Sequence, residues 1–239
     1  MPNFSLYAGE TKTHWLEAPT DNAIFRRRRG GRSIQIALDC LDIERAINVA
    51  KIAKEEGADF LEVGDPLIKS QGVTAISKIK QATSEIPIVA EMMSADWGQD
   101  QVELAATHGA DLVFLIGPAS QVSVQRAVSM ARRLGLILLL DVPLEASQEW
   151  CAAVQKAGVD GLVITTNIDI GSDTPSAEQR AAIIRRWSEL PLAVSGGFSP
   201  YDLPAMKNME CDIVIIGRSV VDAVDPKSAI GSCVSAFKL

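Results

Sequence analysis

A short run of branched apolar residues recurs about every 25 residues along the chain, eight times in all. The runs are Ile34 to Leu38, Phe60 to Val63, Ile86 to Ala90, Leu112 to Ile116, Leu136 to Leu140, Gly161 to Ile164, Leu192 to Val194 and Ile213 to Ile216. Near-continuous Val, Ile and Leu suit parallel strands covered by helices, and the stretches between them have helical amphipathic spacing. Several runs are introduced by a turn of one type, Gly57-Ala58-Asp59, Gly109-Ala110-Asp111 or Gly158-Val159-Asp160, in which glycine ends a helix and the next strand begins. An open doubly wound sheet would produce the same alternation. Eight even units favour closure into an α/β (β/α)8 barrel.

The length of 239 residues suits one such barrel, near the ~250 typical of that fold. The repeat predicts a barrel domain over 33–239 and an N-terminal extension over 1–32, which carries Trp15, Pro19 and the run Arg26-Arg27-Arg28-Arg29. Four consecutive arginines there read as a solvated loop or a subunit-contact arm. The overall balance is acidic, −7 at neutral pH, which argues against a general nucleic-acid surface. No apolar run exceeds the five residues Leu136 to Leu140, far short of a bilayer span. Cys40, Cys151, Cys211 and Cys233 lack metal-ligand spacing and read as reduced thiols, and Met1 to Phe25 lacks a leader-like layout, so the expected location is cytoplasmic.

Two glycine segments follow the last two strands: Ser195-Gly196-Gly197 and Gly217-Arg218-Ser219. In a (β/α)8 barrel the loops after strands seven and eight commonly form a phosphate site. Backbone N–H groups approach a phosphate closely where no Cβ intervenes, and an arginine adds a planar charged fork. One glycine pair alone would simply turn a strand into a helix. The pair of pairs, at these two strand ends, predicts a phosphorylated ligand held by Ser195, Gly196, Gly197, Gly217 and Arg218.

Carboxylates crowd the other strand ends. Asp39 follows strand one, Glu62 strand two, Glu91 strand three with Asp96 five residues later, and Asp141 strand five; Thr165, Thr166, Asn167 and Asp169 follow strand six. Such a ring repels itself in a low-dielectric cavity unless a cation, a shared proton or a lysine compensates. No lysine stands at a strand end. Oxygen ligands of this kind suit Mg²⁺.

Ile36-Ala37-Leu38-Asp39, Leu61-Glu62-Val63-Gly64-Asp65-Pro66-Leu67-Ile68-Lys69 and Ile216-Gly217-Arg218-Ser219-Val220, with Asp225-Pro226, resemble the orotidine-monophosphate decarboxylase superfamily. The similarity is to its branch of 3-hexulose-6-phosphate synthases and 3-keto-L-gulonate-6-phosphate decarboxylases, and it covers about residues 33 to 238. In that family an Asp after strand one, a Glu after strand two and a DxKxxD motif after strand three form the reaction centre. The Glu and the first Asp of the motif hold Mg²⁺, which stabilises an enediolate, so the resemblance implies Glu62 and Glu91 as the metal ligands.

The resemblance therefore implies catalytic roles for Asp39, Glu62, Glu91 and Asp96, and a magnesium-dependent lyase, aldol-type or decarboxylating, acting on a phosphorylated ketose. Asp141, from the strand-end acids, joins Asp39, Asp96, Asp169, a metal-bound water or a tyrosine as a candidate for acid/base work. It also implies a homodimer with active sites at the interface, where Asp96 reaches the partner's substrate and Trp97 either anchors the contact or packs under its own loop. Two positions depart from the pattern. The third motif reads Glu91-Met92-Met93-Ser94-Ala95-Asp96, with a longer first acid and Met93 for the lysine, and Thr165 stands where the family places a histidine. Methionine neither donates a proton nor carries charge. The chain's two histidines, His14 and His108, fall in the extension and near a helix end before strand four. Two further readings stay open: a catalytically decayed sugar-phosphate-binding or regulatory homologue, and a divergent sugar-phosphate isomerase or epimerase. Metal-free orotidine-monophosphate decarboxylation ranks last, because it relies on the missing lysine.

Overall fold

A computed structural model describes residues 32–166, 175–202 and 209–238. Eight parallel strands close into a barrel in sequence order, β1 (Ser33–Ala37), β2 (Phe60–Val63), β3 (Ile88–Glu91), β4 (Leu112–Leu115), β5 (Ile137–Asp141), β6 (Gly161–Thr165), β7 (Leu192–Ser195) and β8 (Ile213–Ile216), with β1 paired to β8. The described helices are α1 (Ile43–Glu55), α2 (Asp65–Gln71), α3 (Thr74–Thr83), α4 (Gly98–Thr107), α5 (Gln121–Leu134), α6 (Gln148–Ala157), α7 (Ala177–Arg185), α8 (Arg218–Val221) and α9 (Pro226–Lys238). Sequence and structure differ mainly at strand ends. β1 stops at Ala37, so Asp39 lies two residues beyond it, while β3 begins at Ile88 because Pro87 supplies no N–H, and it runs on to include Glu91. The crossover from β2 to β3 carries two helices rather than one.

Alternation along the strands sorts the core in two. One cluster lies between sheet and helices and holds Ile34, Ile36, Leu61, Val63, Ile88 and their equivalents. The other fills the barrel: Ala37, Phe60, Val89, Leu112, Phe114, Ile137, Leu139, Val163, Ala193, Ile213 and Ile215, with Met93 packed against it. Because side chains alternate with period two, Gln35, Glu62, Glu91, Asp141, Thr165, Ser195 and Gly217 share the interior parity of that second cluster. The apolar plug thus sets the floor of a polar chamber at the C-terminal rim.

The opposite rim is pinned by a repeated device. Asp59, Asp111, Asp160 and Asp212 each precede an even-numbered strand, and each carboxylate accepts from the N–H of one residue of the preceding odd strand: Ile34 (2.9 Å), Ile88 (2.8 Å), Leu138 (2.9 Å) and Leu192 (2.8 Å). The backbone N–H of each Asp returns a bond to the carbonyl of that same residue. Three of them also pair with a cation from the helix that leads into that odd strand: Lys80 with Asp111, Arg132 with Asp160 and Arg185 with Asp212. The Gly-Ala-Asp turns seen in the sequence are therefore strand locks, and Cys211-Asp212 is a fourth without the glycine. Glycines 57, 109 and 158 have φ between +86° and +92°, the left-handed conformation that ends each preceding helix.

All four cysteines are free and buried. Among the described residues no helix is long and apolar enough to cross a membrane.

Candidate active site

Asp39, Glu62 and Glu91 converge at the C-terminal rim from β1, β2 and β3. Each offers a carboxylate oxygen within 4.8 Å of the others. Asp39 reaches the group because two glycines leave space for it: a Cβ on Gly64 would overlap Oδ1, and one on Gly217 would lie 2.5 Å from Oδ2. Glu62, only 3% exposed, accepts a hydrogen bond at Oε2 from Gln35 Nε2. Glu91 Oε2 accepts from the backbone N–H of Asp65 at 2.6 Å, which ties β3 to the start of α2.

Burial and mutual repulsion hold these acids toward their protonated forms. Desolvation is the leading cause at all three. It raises Asp39, against the opposing charge of Arg218 and with the help of Asp65 and Asp222. Glu62 is pushed well above the usual carboxylate range by burial and then by the charges of Glu91 and Asp39, against the Gln35 amide. Glu91 is raised to about 7, chiefly by burial, its hydrogen bond from Asp65 resisting while the charges of Asp39, Asp65 and Asp141 add to the shift. Lys69, the nearby lysine of the matched motif, pairs instead with Asp65 at 2.8 Å on the surface of α2. Three oxygen donors of this kind, buried together, fit a hard divalent cation.

Across the chamber, Asp141 is raised to about 6, chiefly by desolvation. The Thr165 hydroxyl, the Arg180 charge and the amides of Thr165 and Val142 ease its ionised form. The Thr165 hydroxyl lies close without completing a well-formed hydrogen bond: Asp141 Oδ1, Thr165 Oγ1 and Thr166 Oγ1 are buried polar atoms with no hydrogen-bond partner. Three unsatisfied oxygens at neighbouring strand ends are costly unless a ligand or water completes them.

The glycine segments come together at β7 and β8. Ser219 Oγ donates to Phe198 O at 2.6 Å, joining the two loops, and the Phe198 ring lies over Gly196, where a Cβ would be 2.5 Å from Cζ. Gly197 takes φ +70°, which disfavours any side chain. Arg218 begins α8, is solvent-exposed, and its charge is felt by Asp39. The glycine loops and the acid cluster thus share Gly217 and Asp39 as a common border.

Some expected residues lie apart. Asp96 is exposed and accepts from the N–H of Trp97 at 2.7 Å, outside the acid cluster of its own chain. Trp97 is 69% exposed at φ 56°, so it does not pack under its own loop. His108 caps the end of α4 and its ring bonds Leu104 O, away from the chamber. Asn167, Asp169 and His14 fall outside the described residues. Gln35, Gly64 and Arg180 do not stand out in the sequence as site residues. Gln35 had a legible signal, a polar residue within the strand Ser33-Ile34-Gln35-Ile36-Ala37 at interior parity.

A closed (β/α)8 barrel with a carboxylate cluster at one end of its C-terminal rim and paired glycine loops at the other defines a class of barrel enzyme scaffold. The chain belongs to the family described as "Orotidine 5'-phosphate decarboxylase / HUMPS family", which it matches over residues 32–233. It is 26% identical over 207 residues to a 3-hexulose-6-phosphate synthase of Staphylococcus epidermidis, covering 86% of this chain and 98% of that one. A crystal structure of 3-hexulose-6-phosphate synthase superposes with a TM-score of 0.79 at 25% identity, covering 86% and 99%. A 3-keto-L-gulonate-6-phosphate decarboxylase from Vibrio cholerae superposes at 0.72 with 20% identity, covering 87% and 97%, a likeness of fold.

Proposed function

We propose that this protein is a magnesium-dependent carbon–carbon lyase acting on a phosphorylated ketose, in the manner that the name 3-hexulose-6-phosphate synthase describes. The observation that carries the reading is the cluster of Asp39, Glu62 and Glu91 within 4.8 Å, bordered through Gly217 by the phosphate loops. Glu62 and Glu91 would hold Mg²⁺, with Asp39 beside them. The ion would supply electrostatic stabilisation of the negative charge that a ketose phosphate develops on its oxygens as it becomes an enediolate.

The chain's own residues divide the remaining work. Ser195 and the amides of Gly196, Gly197, Gly217 and Arg218 bind the phosphate, and the Arg218 guanidinium adds charge to that end. Asp141, its carboxyl raised to about 6, takes and returns a proton at a rim where Met93 and Thr165 replace the family's lysine and histidine. The open oxygens of Asp141 and Thr165 read the hydroxyls of the sugar chain. Incubation of the protein with hexulose 6-phosphate and Mg²⁺, with pentulose 5-phosphate and the formaldehyde released by carbon–carbon cleavage followed as products, tests the reading. Turnover should vanish with EDTA and fall about 10³-fold in Glu62→Gln, the loss expected for removing a key electrostatic group. Full turnover in both cases would overturn it.

A sugar-phosphate binder without turnover is the second reading, favoured by Met93, whose thioether packs on the barrel plug and supplies no proton. It predicts tight binding of the sugar phosphate with no conversion under any divalent metal. The protein is further proposed to be a cytoplasmic homodimer. Exposed Asp96 and Trp97 would face the partner's site, and sedimentation of Trp97→Ala against the parent chain would detect the loss of dimer.

A further inference from the structure

Arg180 is 8% exposed, on α7, yet it neither caps that helix nor lies with the acid cluster. Its guanidinium donates from Nη2 to Val142 O at 2.6 Å and from Nη1 to Thr165 O at 2.9 Å. These carbonyls belong to neighbouring strand ends, where the ladder itself is ending: Val142 N–H donates to Val163 O, and Thr166 N–H has already turned to Ser195 O on β7. One planar fork thus spans β5 and β6, at the residue just after β5 and the last residue of β6. Val142 follows Asp141, and Thr165 carries its own orphaned hydroxyl. Moving either carbonyl moves the backbone that aims Asp141 Oδ1 and Thr165 Oγ1 into the chamber.

We propose that Arg180 is a positioning residue, which by clamping the carbonyls of Val142 and Thr165 fixes the edge formed by Asp141 and Thr165 in register to recognise adjacent hydroxyls of a phosphorylated sugar. The inference rests on the functional reading above and deepens it, assigning sugar-chain recognition to a part of the rim opposite the acid cluster. α7 is well suited to hold such a clamp, because Ser176 and Gln179 close its N-terminus in a reciprocal capping box one residue before Arg180. The guanidinium charge also faces Asp141 and Glu145, which favours the acceptor form of the Asp141 carboxylate. A lysine would keep the charge but reach one carbonyl only, since an ammonium is a point donor rather than a fork.

The test compares two ligands calorimetrically, pentulose 5-phosphate and inorganic phosphate, on the full chain with Mg²⁺ present. The parent protein should prefer the sugar phosphate. Arg180→Lys should lose about 30-fold of that affinity, the scale of a misplaced hydrogen bond to a charged group, while inorganic phosphate binds within about 2-fold of the parent. A folded Arg180→Lys that keeps the preference overturns the proposal, as does an equal loss for both ligands, which marks general damage. If Arg180→Lys does not fold, Asp141→Asn serves in its place: a loss confined to the sugar phosphate supports the edge, and no loss or an equal loss overturns it. A parent protein with no preference for the sugar phosphate would overturn the functional reading and this inference together, whereas a preference that survives Arg180→Lys would leave that reading standing and remove the inference alone.

Discussion

Acidic residues ring both ends of this barrel, and the two rings are built on opposite terms. At the N-terminal rim, Asp59, Asp111, Asp160 and Asp212 each accept a strand N–H, and three of them meet a lysine or arginine from a neighbouring helix. At the C-terminal rim, Asp39, Glu62 and Glu91 face one another, with the Gln35 amide donating to Glu62 and the Asp65 N–H to Glu91, while the exposed Lys69 pairs with Asp65. The same functional group is a fastener below and a source of strain above. Charge that is fully satisfied contributes to stability; charge left facing its own kind is retained at a cost to it and is available for a ligand.

The largest expected effect breaks the lower ring. Asp160→Ala removes the acceptor for Leu138 N–H and leaves Arg132, otherwise bonded to Gly158 O, without its carboxylate. Loss of a buried pair of this kind should destabilise the fold by about 3 to 5 kcal/mol, lowering Tm by about 6 to 20 °C in a domain of this size. Calorimetry in parallel with Mg²⁺ titration would check it, and the titration should be unchanged. A shifted metal affinity would show that the two rims are not independent.

The upper ring should respond to pH in the direction opposite to an ordinary paired carboxylate. Glu91 is raised to about 7 from the 4.5 of an unperturbed glutamate, so the native state holds its proton more tightly than the unfolded chain does. The stability this confers is complete below about pH 4.5 and is lost as pH rises through about 7. For Glu91 alone the loss is on the order of 3 kcal/mol, and Asp141, raised to about 6, adds a loss in the same sense over a lower window. Chemical denaturation of the metal-free protein at pH 5 and pH 8 should therefore find it weaker at pH 8, with millimolar Mg²⁺ restoring much of the difference. Glu91→Gln should flatten the dependence. Equal stability at both pH values would mean that the acids are less buried than their positions imply.

How much of this the sequence disclosed differs between the rings for a physical reason. The eight apolar runs and their turns made the barrel legible, because strand period and helix caps are local properties. Asp59, Asp111 and Asp160 were visible only as turn residues; their bonds to strands some 22 to 25 positions earlier depend on closure of the sheet. The acids of β1 to β3 could be grouped because each follows a recognisable strand. What pinches Asp39 into the group, the space left by Gly64 and Gly217, arises from two loops distant in sequence. Arg180 lay beyond reach altogether, since nothing in the helix Ala177–Arg185 reveals that one of its four polar side chains turns inward to two strand ends.

The smallest effect sharpens the comparison by giving the upper ring what the lower ring has. Met93 sits at φ 43° on the interior side of the β3 exit, packed against the barrel plug, two residues after Glu91. Its backbone already takes a conformation uncommon for a side-chain-bearing residue, so Met93→Lys adds no new backbone strain and replaces a thioether with an ammonium of similar reach. A cation near the cluster should lower the raised carboxylates and stabilise the metal-free protein at pH 8 by about 1 kcal/mol, a Tm gain of about 2 to 4 °C. The same charge competes with Mg²⁺, so metal affinity should fall by about 10-fold for each 1.4 kcal/mol of repulsion. Greater stability together with weaker metal binding would establish the want of a counter-charge, for acids that burial and mutual repulsion both penalise, as what distinguishes the upper ring from the lower. A variant that gains no stability at pH 8 would overturn that distinction.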